Sequence, residues 1–101
     1  MGLTVRFTQR ALADLSDIRT YLVERSPQGA ERVRSQIAAT IDLLSSFPMI
    51  GTATDEPGVR VVQVTRYPYR IFHTVETDTV IILHIRHAAR ENPSPYELHE
   101  D

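Results

Sequence analysis

The chain has 101 residues, with 11 basic side chains against 13 acidic ones, a formal net charge of −2 and no cysteine. This excludes a disulfide framework and a thiolate metal site, and it lacks the positive surplus of proteins that cling to nucleic acid by neutralising phosphate. A chain of this size buries roughly two-thirds of its unfolded surface, enough for one core between two packed layers.

The N-terminal stretch MGLTVRFTQRALADL has no apolar signal core, and nothing in the chain approaches the roughly 18 apolar residues of a membrane span. The expectation is a soluble cytoplasmic protein with no membrane partner. In LTVRF, Leu3, Val5 and Phe7 alternate with Thr4 and Arg6, which predicts a short strand with one buried face. Thr8 suits a helix N-cap, and Ala11, Leu15, Ile18 and Leu22 form an apolar stripe widened by Leu12 and Tyr21. Asp14, Asp17 and Glu24 fall on the opposite, solvated face, with Arg10 one turn from Asp14.

RSPQG breaks the pattern. Ser26 can cap a second helix and Pro27 suits its first position. Ala30, Val33, Ile37, Ile41 and Leu44 mark the second stripe, and Pro48 ends it. Two amphipathic helices joined so closely predict an antiparallel hairpin. Residues 47–58, with two prolines and two glycines, read as a loop pinned by Phe47 and Met49 or Ile50.

The period then changes. VRVVQVTRYPYRIFHTV predicts two strands broken near Pro68. A turn at ETD, 76–78, follows, and TVIILHIRH is the last strand. The strands form a meander with the helical hairpin on one face. The fold class is therefore α+β, with residues 1–92 as a single domain and 93–101 as a polar tail.

YRIFHTV sends Tyr69, Ile71, His73 and Val75 to one side and Arg70, Phe72 and Thr74 to the other. An arginine among aromatics on an open sheet face can meet nucleic acid or an acidic peptide; the plainer alternative is that it only keeps the sheet soluble. Arg60, Arg66, Arg70 and Arg90 share this half of the chain and are the candidate target contacts. His84 and His87 point to opposite faces in a regular strand, which makes them poor joint metal ligands; neither metal nor cofactor is expected. For RNA cleavage, His87, Arg70, Arg90 and Tyr96 are the candidates for acid, phosphate clamp and hydroxyl. Gly29, Gly51 and Gly58 are isolated, so there is no glycine-rich phosphate loop.

The order of VRFTQRALADLSDIRTYL, FPMIG, GVRVVQVTRYPYRIFHTV and VIILHIRHAAR, in a chain of this length, resembles the RelE/ParE toxin superfamily, and within it the ParE, or plasmid-stabilisation, branch. The resemblance implies a helical hairpin on a twisted, mostly antiparallel sheet. It also implies a cognate antitoxin, encoded by an adjacent gene, whose C-terminal segment wraps the toxin in a hetero-oligomer. Leu12, Leu22 and Val33 are the expected lining of the apolar groove that receives it. ParE-like members inhibit DNA gyrase by binding, without being enzymes; RelE-like members cut messenger RNA on the ribosome, with Arg60, Arg70, His87 and Arg90 at the matching positions. The slightly acidic net charge favours the gyrase reading, with ribosome-dependent cleavage as the alternative. A divergent or inactive member is the third possibility.

Overall fold

The computed structural model describes residues 2–88. Its elements are β1 (Thr4–Phe7), α1 (Gln9–Arg25), α2 (Pro27–Ser46), β2 (Thr52–Ala53), β3 (Arg60–Gln63), β4 (Tyr69–Glu76) and β5 (Thr79–His87). Arg90, Tyr96 and the expected tail at 93–101 lie outside the described residues.

Local chemistry sets the helix ends. Thr8 Oγ1 accepts from the Ala11 amide at 3.0 Å and starts α1. Ser26 serves both helices: its amide donates to Leu22 O at 2.7 Å, closing α1, and its hydroxyl accepts from the Gly29 amide at 3.0 Å, opening α2. Pro27 stands at the first position of α2, where a missing amide costs nothing. One extended residue thus reverses the chain between two helices, as the RSPQG break predicts.

The sheet has five strands in the order β1-β5-β4-β3-β2. β2 to β5 are an antiparallel meander, while β1 runs parallel to β5 at the edge. The two-residue β2 sits inside the segment expected to be loop throughout. Gly51, at φ +90, brings the chain so close to the Val61 carbonyl that a side chain there would collide with it. The expected α+β architecture, a helical hairpin on a mostly antiparallel sheet, is the one observed.

The hairpin covers one face. Val33, Ile37, Ile41 and Leu44 of α2 and Ala11 of α1 pack with Tyr69 and Ile71 of β4 and Val80, Ile82 and Ile85 of β5. Period two places His73 in this inner layer, fully buried, with Nε2 3.0 Å from the Pro48 carbonyl.

β1 covers only the first half of the β5 edge, from Thr79 to Ile82. Beyond it, α1 takes over. The Thr8 amide donates to Ile82 O at 3.1 Å and its hydroxyl to Leu83 O at 2.6 Å. The Ile85 amide then donates to Asp14 Oδ2 at 2.9 Å. Asp14 is therefore not the solvated acid its helix position suggests, but a partner for an otherwise unpaired strand amide.

We predict that Asp14→Ala destabilises the fold by about 1–3 kcal/mol, the cost of leaving a buried amide unsatisfied. Asp14→Asn, which keeps an acceptor oxygen, should lose clearly less. Urea denaturation of the three proteins checks this order.

Candidate nucleic-acid interface

The outer face of the sheet, away from the helices, follows from the strand register. Val61 and Gln63 stand opposite Phe72 and Arg70, and Arg70 and Phe72 stand opposite Arg86 and His84. At the other edge Arg6 is level with Ile81. The face thus carries Arg6, Arg70 and Arg86. Its acids are peripheral: Glu76 at the far end of β4, and Glu56 in the loop tied down by the bond from Thr74 Oγ1 to Gly58 O at 2.7 Å. The remaining carboxylates of the described residues are concentrated on the helices and turns.

A β-bulge sets the centre of this face. Ile82 pairs with His73 and His84 with Phe72, which leaves Leu83 as an extra residue in β5. Without it, His84 would follow Val80 and Ile82 into the inner layer; with it, His84 stands on the outer face beside Phe72. The two rings stack at a centroid distance of 4.3 Å with 14° between their planes. Arg86 Nε donates to His84 Nδ1 at 3.3 Å, so the neutral ring carries its proton on Nε2. Burial holds the His84 pKa down to about 4, with help from the Arg86 and Arg10 charges and against the Asp14 and Glu56 carboxylates.

Those of the expected site residues that are described do not share one face. Arg70 is exposed on the outer face. Arg60 pairs with His73 and therefore points to the inner side, where Nη2 donates to Gly51 O at 2.9 Å and braces the loop after α2. Arg66 is exposed in the β3–β4 turn at φ 74, and Gln63 Nε2 clasps that turn through Tyr67 O at 2.9 Å.

His87, at the end of β5, meets Tyr69 edge-on with ring centroids 5.1 Å apart. It lines a recess of about 210 Å³ with Arg86 of its own strand and with Arg10, Asp14, Asp17 and Tyr21 of α1. Arg70 and His87 thus lie on opposite sides of the sheet, while Arg90 and Tyr96 lie outside the described residues. Arg86 and His84 are outer-face residues that strand periodicity alone passes over; the bulge that places His84 leaves no mark in the pattern of residues. Among the described residues, no group of three or more histidine, cysteine or carboxylate side chains is placed to hold a metal ion.

A second surface lies between the helices. A groove of about 580 Å³ is floored by Leu15, Ile18, Leu22, Val33 and Ile37, with Arg19, Glu31 and Arg34 also on its walls. Leu22 and Val33 are part of its lining, whereas Leu12 is not and stands 54% exposed.

The profile of the ParE toxin of type II toxin–antitoxin systems, parDE, matches residues 5–92. "Toxin RelE2" of Caulobacter vibrioides is 38% identical over 86 residues, which is 85% of this chain and 96% of that protein. The fold is similar to a chain of the chromosomal ParDE toxin–antitoxin system of P. aeruginosa, with a TM-score of 0.73, 26% identity and coverage of 84% of this chain and 95% of that one. The isolated E. coli RelE toxin shares the fold at a TM-score of 0.66 and 18% identity, over 97% of this chain and 95% of that one.

His73 and His84 are both held toward the neutral form. Burial lowers the His73 pKa, and burial first, then Arg86, lowers that of His84 from 6.5 to about 4. In the unfolded chain each binds a proton near its ordinary value, so the unfolded state gains protons first as pH falls. We predict that stability is fully present above pH 6.5 and is lost progressively toward about 4, where His84 protonates in the fold. His84→Gln should flatten part of that decline in melting temperature measured against pH.

Proposed function

The chain belongs to the ParE toxin family and is the toxin component of a type II toxin–antitoxin system; from that premise we propose that it acts on RNA, as a ribosome-dependent toxin directed at messenger RNA. The carrying observation is the segregation of charge. The net charge of −2 counts carboxylates that sit mainly on the helices, whereas the outer sheet face offers Arg6, Arg70 and Arg86. A local patch of this kind attracts a polyanion whatever the whole-chain total. That removes the main reason for preferring gyrase. The 38% identity to a protein named Toxin RelE2 adds support.

RNA cleavage requires a group that takes the proton of the 2′-hydroxyl and one that protonates the leaving 5′-oxygen. Arg70 is the candidate clamp on this face. Arg90 and Tyr96, which follow β5, are the further candidates for the chemistry. His87, across the sheet, is a weaker one. The described part of the face binds and orients; it holds no histidine poised to titrate near neutrality.

A second reading, inhibition of DNA gyrase by binding, draws on the family's ParE name and on the ParDE chain at 26% identity. It would use the same arginines against DNA phosphate or acidic protein. Either target puts the action in the cytoplasm. No helix among the described residues is long and apolar enough to cross a membrane.

The partner on the helical side is a cognate antitoxin. Its amphipathic segment would lay an apolar face into the groove over Leu22 and Val33, with its charges toward Arg19, Glu31 and Arg34.

Two experiments test these proposals. In a translation reaction, the purified toxin should cut a reporter messenger RNA only while it is being translated, and leave gyrase supercoiling intact. The Arg70→Ala, Arg86→Ala double variant should lose roughly tenfold or more in cutting, the scale of a lost charge-assisted contact. Inhibited supercoiling with intact message would overturn the RNA reading in favour of gyrase. For the groove, Val23→Glu, at an exposed position on its wall, should weaken capture by the neighbouring gene's product while growth arrest persists.

A further inference from the structure

We infer that His84 is itself a contact of the target: a neutral imidazole that donates its Nε2 proton to a phosphodiester oxygen between Arg70 and Arg86. The inference rests on the RNA reading above and adds to it a group that strand periodicity does not single out.

Three observations carry it. The first is position: the Leu83 bulge lifts His84 out of the inner layer onto the basic face, next to Arg86 on its own strand and diagonal to Arg70 on β4. The second is orientation. Stacking on Phe72 at 4.3 Å limits ring rotation, and the bond from Arg86 Nε to Nδ1 fixes which nitrogen keeps the proton. The third is an unused donor. The only buried side-chain polar atom lacking a partner among the described residues is His73 Nδ1. His84 is half-buried, and its one printed hydrogen bond uses Nδ1, so among the described residues Nε2 has no hydrogen-bond partner.

A preoriented donor beside the Arg86 guanidinium, with Arg70 opposite Arg86 on the neighbouring strand, suits a singly charged phosphate oxygen. Arginines supply the long-range attraction; a neutral N–H supplies direction without adding a third positive charge for them to repel. The groups that act on the ring are Arg86 of β5, Arg10 and Asp14 of α1, and Glu56 of the loop. Their net influence, with burial, keeps it uncharged through the physiological range. His84 therefore acts as a hydrogen-bond donor and not as a general base.

This makes a distinctive prediction for equilibrium binding of the full chain to a short fluorescein-labelled single-stranded RNA, measured against salt and pH. Arg86→Ala should weaken binding and flatten the salt dependence by about 0.7 in slope, because one phosphate neutralisation is lost. His84→Leu should weaken binding by about tenfold with the slope unchanged, and the loss should be the same between pH about 5.5 and about 8. His84→Gln, which restores an N–H donor, should recover most of it.

Melting curves verify folding; if the leucine variant is unfolded, His84→Gln against His84→Glu repeats the comparison, since only the first donates. Wild-type affinity in His84→Leu while Arg86→Ala is weakened would overturn the inference and leave the RNA reading standing. A His84→Leu loss that grows at low pH or lowers the slope would also overturn it, by showing a cationic contact. Unchanged binding in the Arg70→Ala, Arg86→Ala double variant would remove the RNA reading and the inference together.

Discussion

The bond from the Ile85 amide to the Asp14 carboxylate, at 2.9 Å, is the constraint around which the rest is arranged. A strand edge needs partners for its amides and carbonyls, and β1 is too short to supply them beyond Ile82. The chain solves this with α1, whose N-cap Thr8 and second-turn Asp14 continue the job of a neighbouring strand with side chains. The Thr8 hydroxyl does double duty, capping the helix through Ala11 and reaching Leu83 O. Helix initiation, edge protection and the docking of α1 on β5 are thus one event. The bulge can sit where it does because side chains, unlike a strand backbone, tolerate an extra residue in the register they meet.

That arrangement separates the two faces of the sheet chemically. Toward the helices, β4 and β5 present Ile71, Ile82 and Ile85, and His73 is buried with them as a neutral ring against Pro48 O. Away from the helices, the same strands present Arg70, Phe72, His84 and Arg86. Two histidines on adjacent strands end in opposite environments. Both are held uncharged, one as part of the core and the other as part of a solvent-reachable basic face. A whole-chain charge total averages over this division and says nothing of the local surplus on one face.

Much of the fold was legible in the sequence because its signals are local. Thr8, Ser26 and Pro27 mark helix ends by chemistry that needs no distant partner, and the apolar stripes and the alternation in YRIFHTV define faces over a few residues. What escaped depends on distant pairing. Nothing near Asp14 says that its partner is an amide 71 positions away. Nothing in VIILHIRH says that Leu83 is surplus, yet that one residue decides the face of His84. Arg60 shares a half of the chain with Arg70, but pairing to His73 turns it inward, onto the carbonyls of Ile50 and Gly51. The groove followed the same rule: Leu22 and Val33 belong to the facing stripes and line it, whereas Leu12 widens the stripe of α1 in a direction that α2 never covers.

The placement of the two surfaces also bears on how neutralisation could work. The groove over Leu22 and Val33 lies in the helical layer, while Arg70 and Arg86 lie across the sheet from it. A segment seated only in the groove would leave the basic face uncovered. A single partner that covers both surfaces therefore needs a chain long enough to leave the groove and pass around a sheet edge. The β5 edge offers one way round: there Arg10, Asp14 and Asp17 of α1 share a recess with His87 and Arg86. An acidic stretch following an apolar one in a partner would meet Arg86 on that route and compensate its charge.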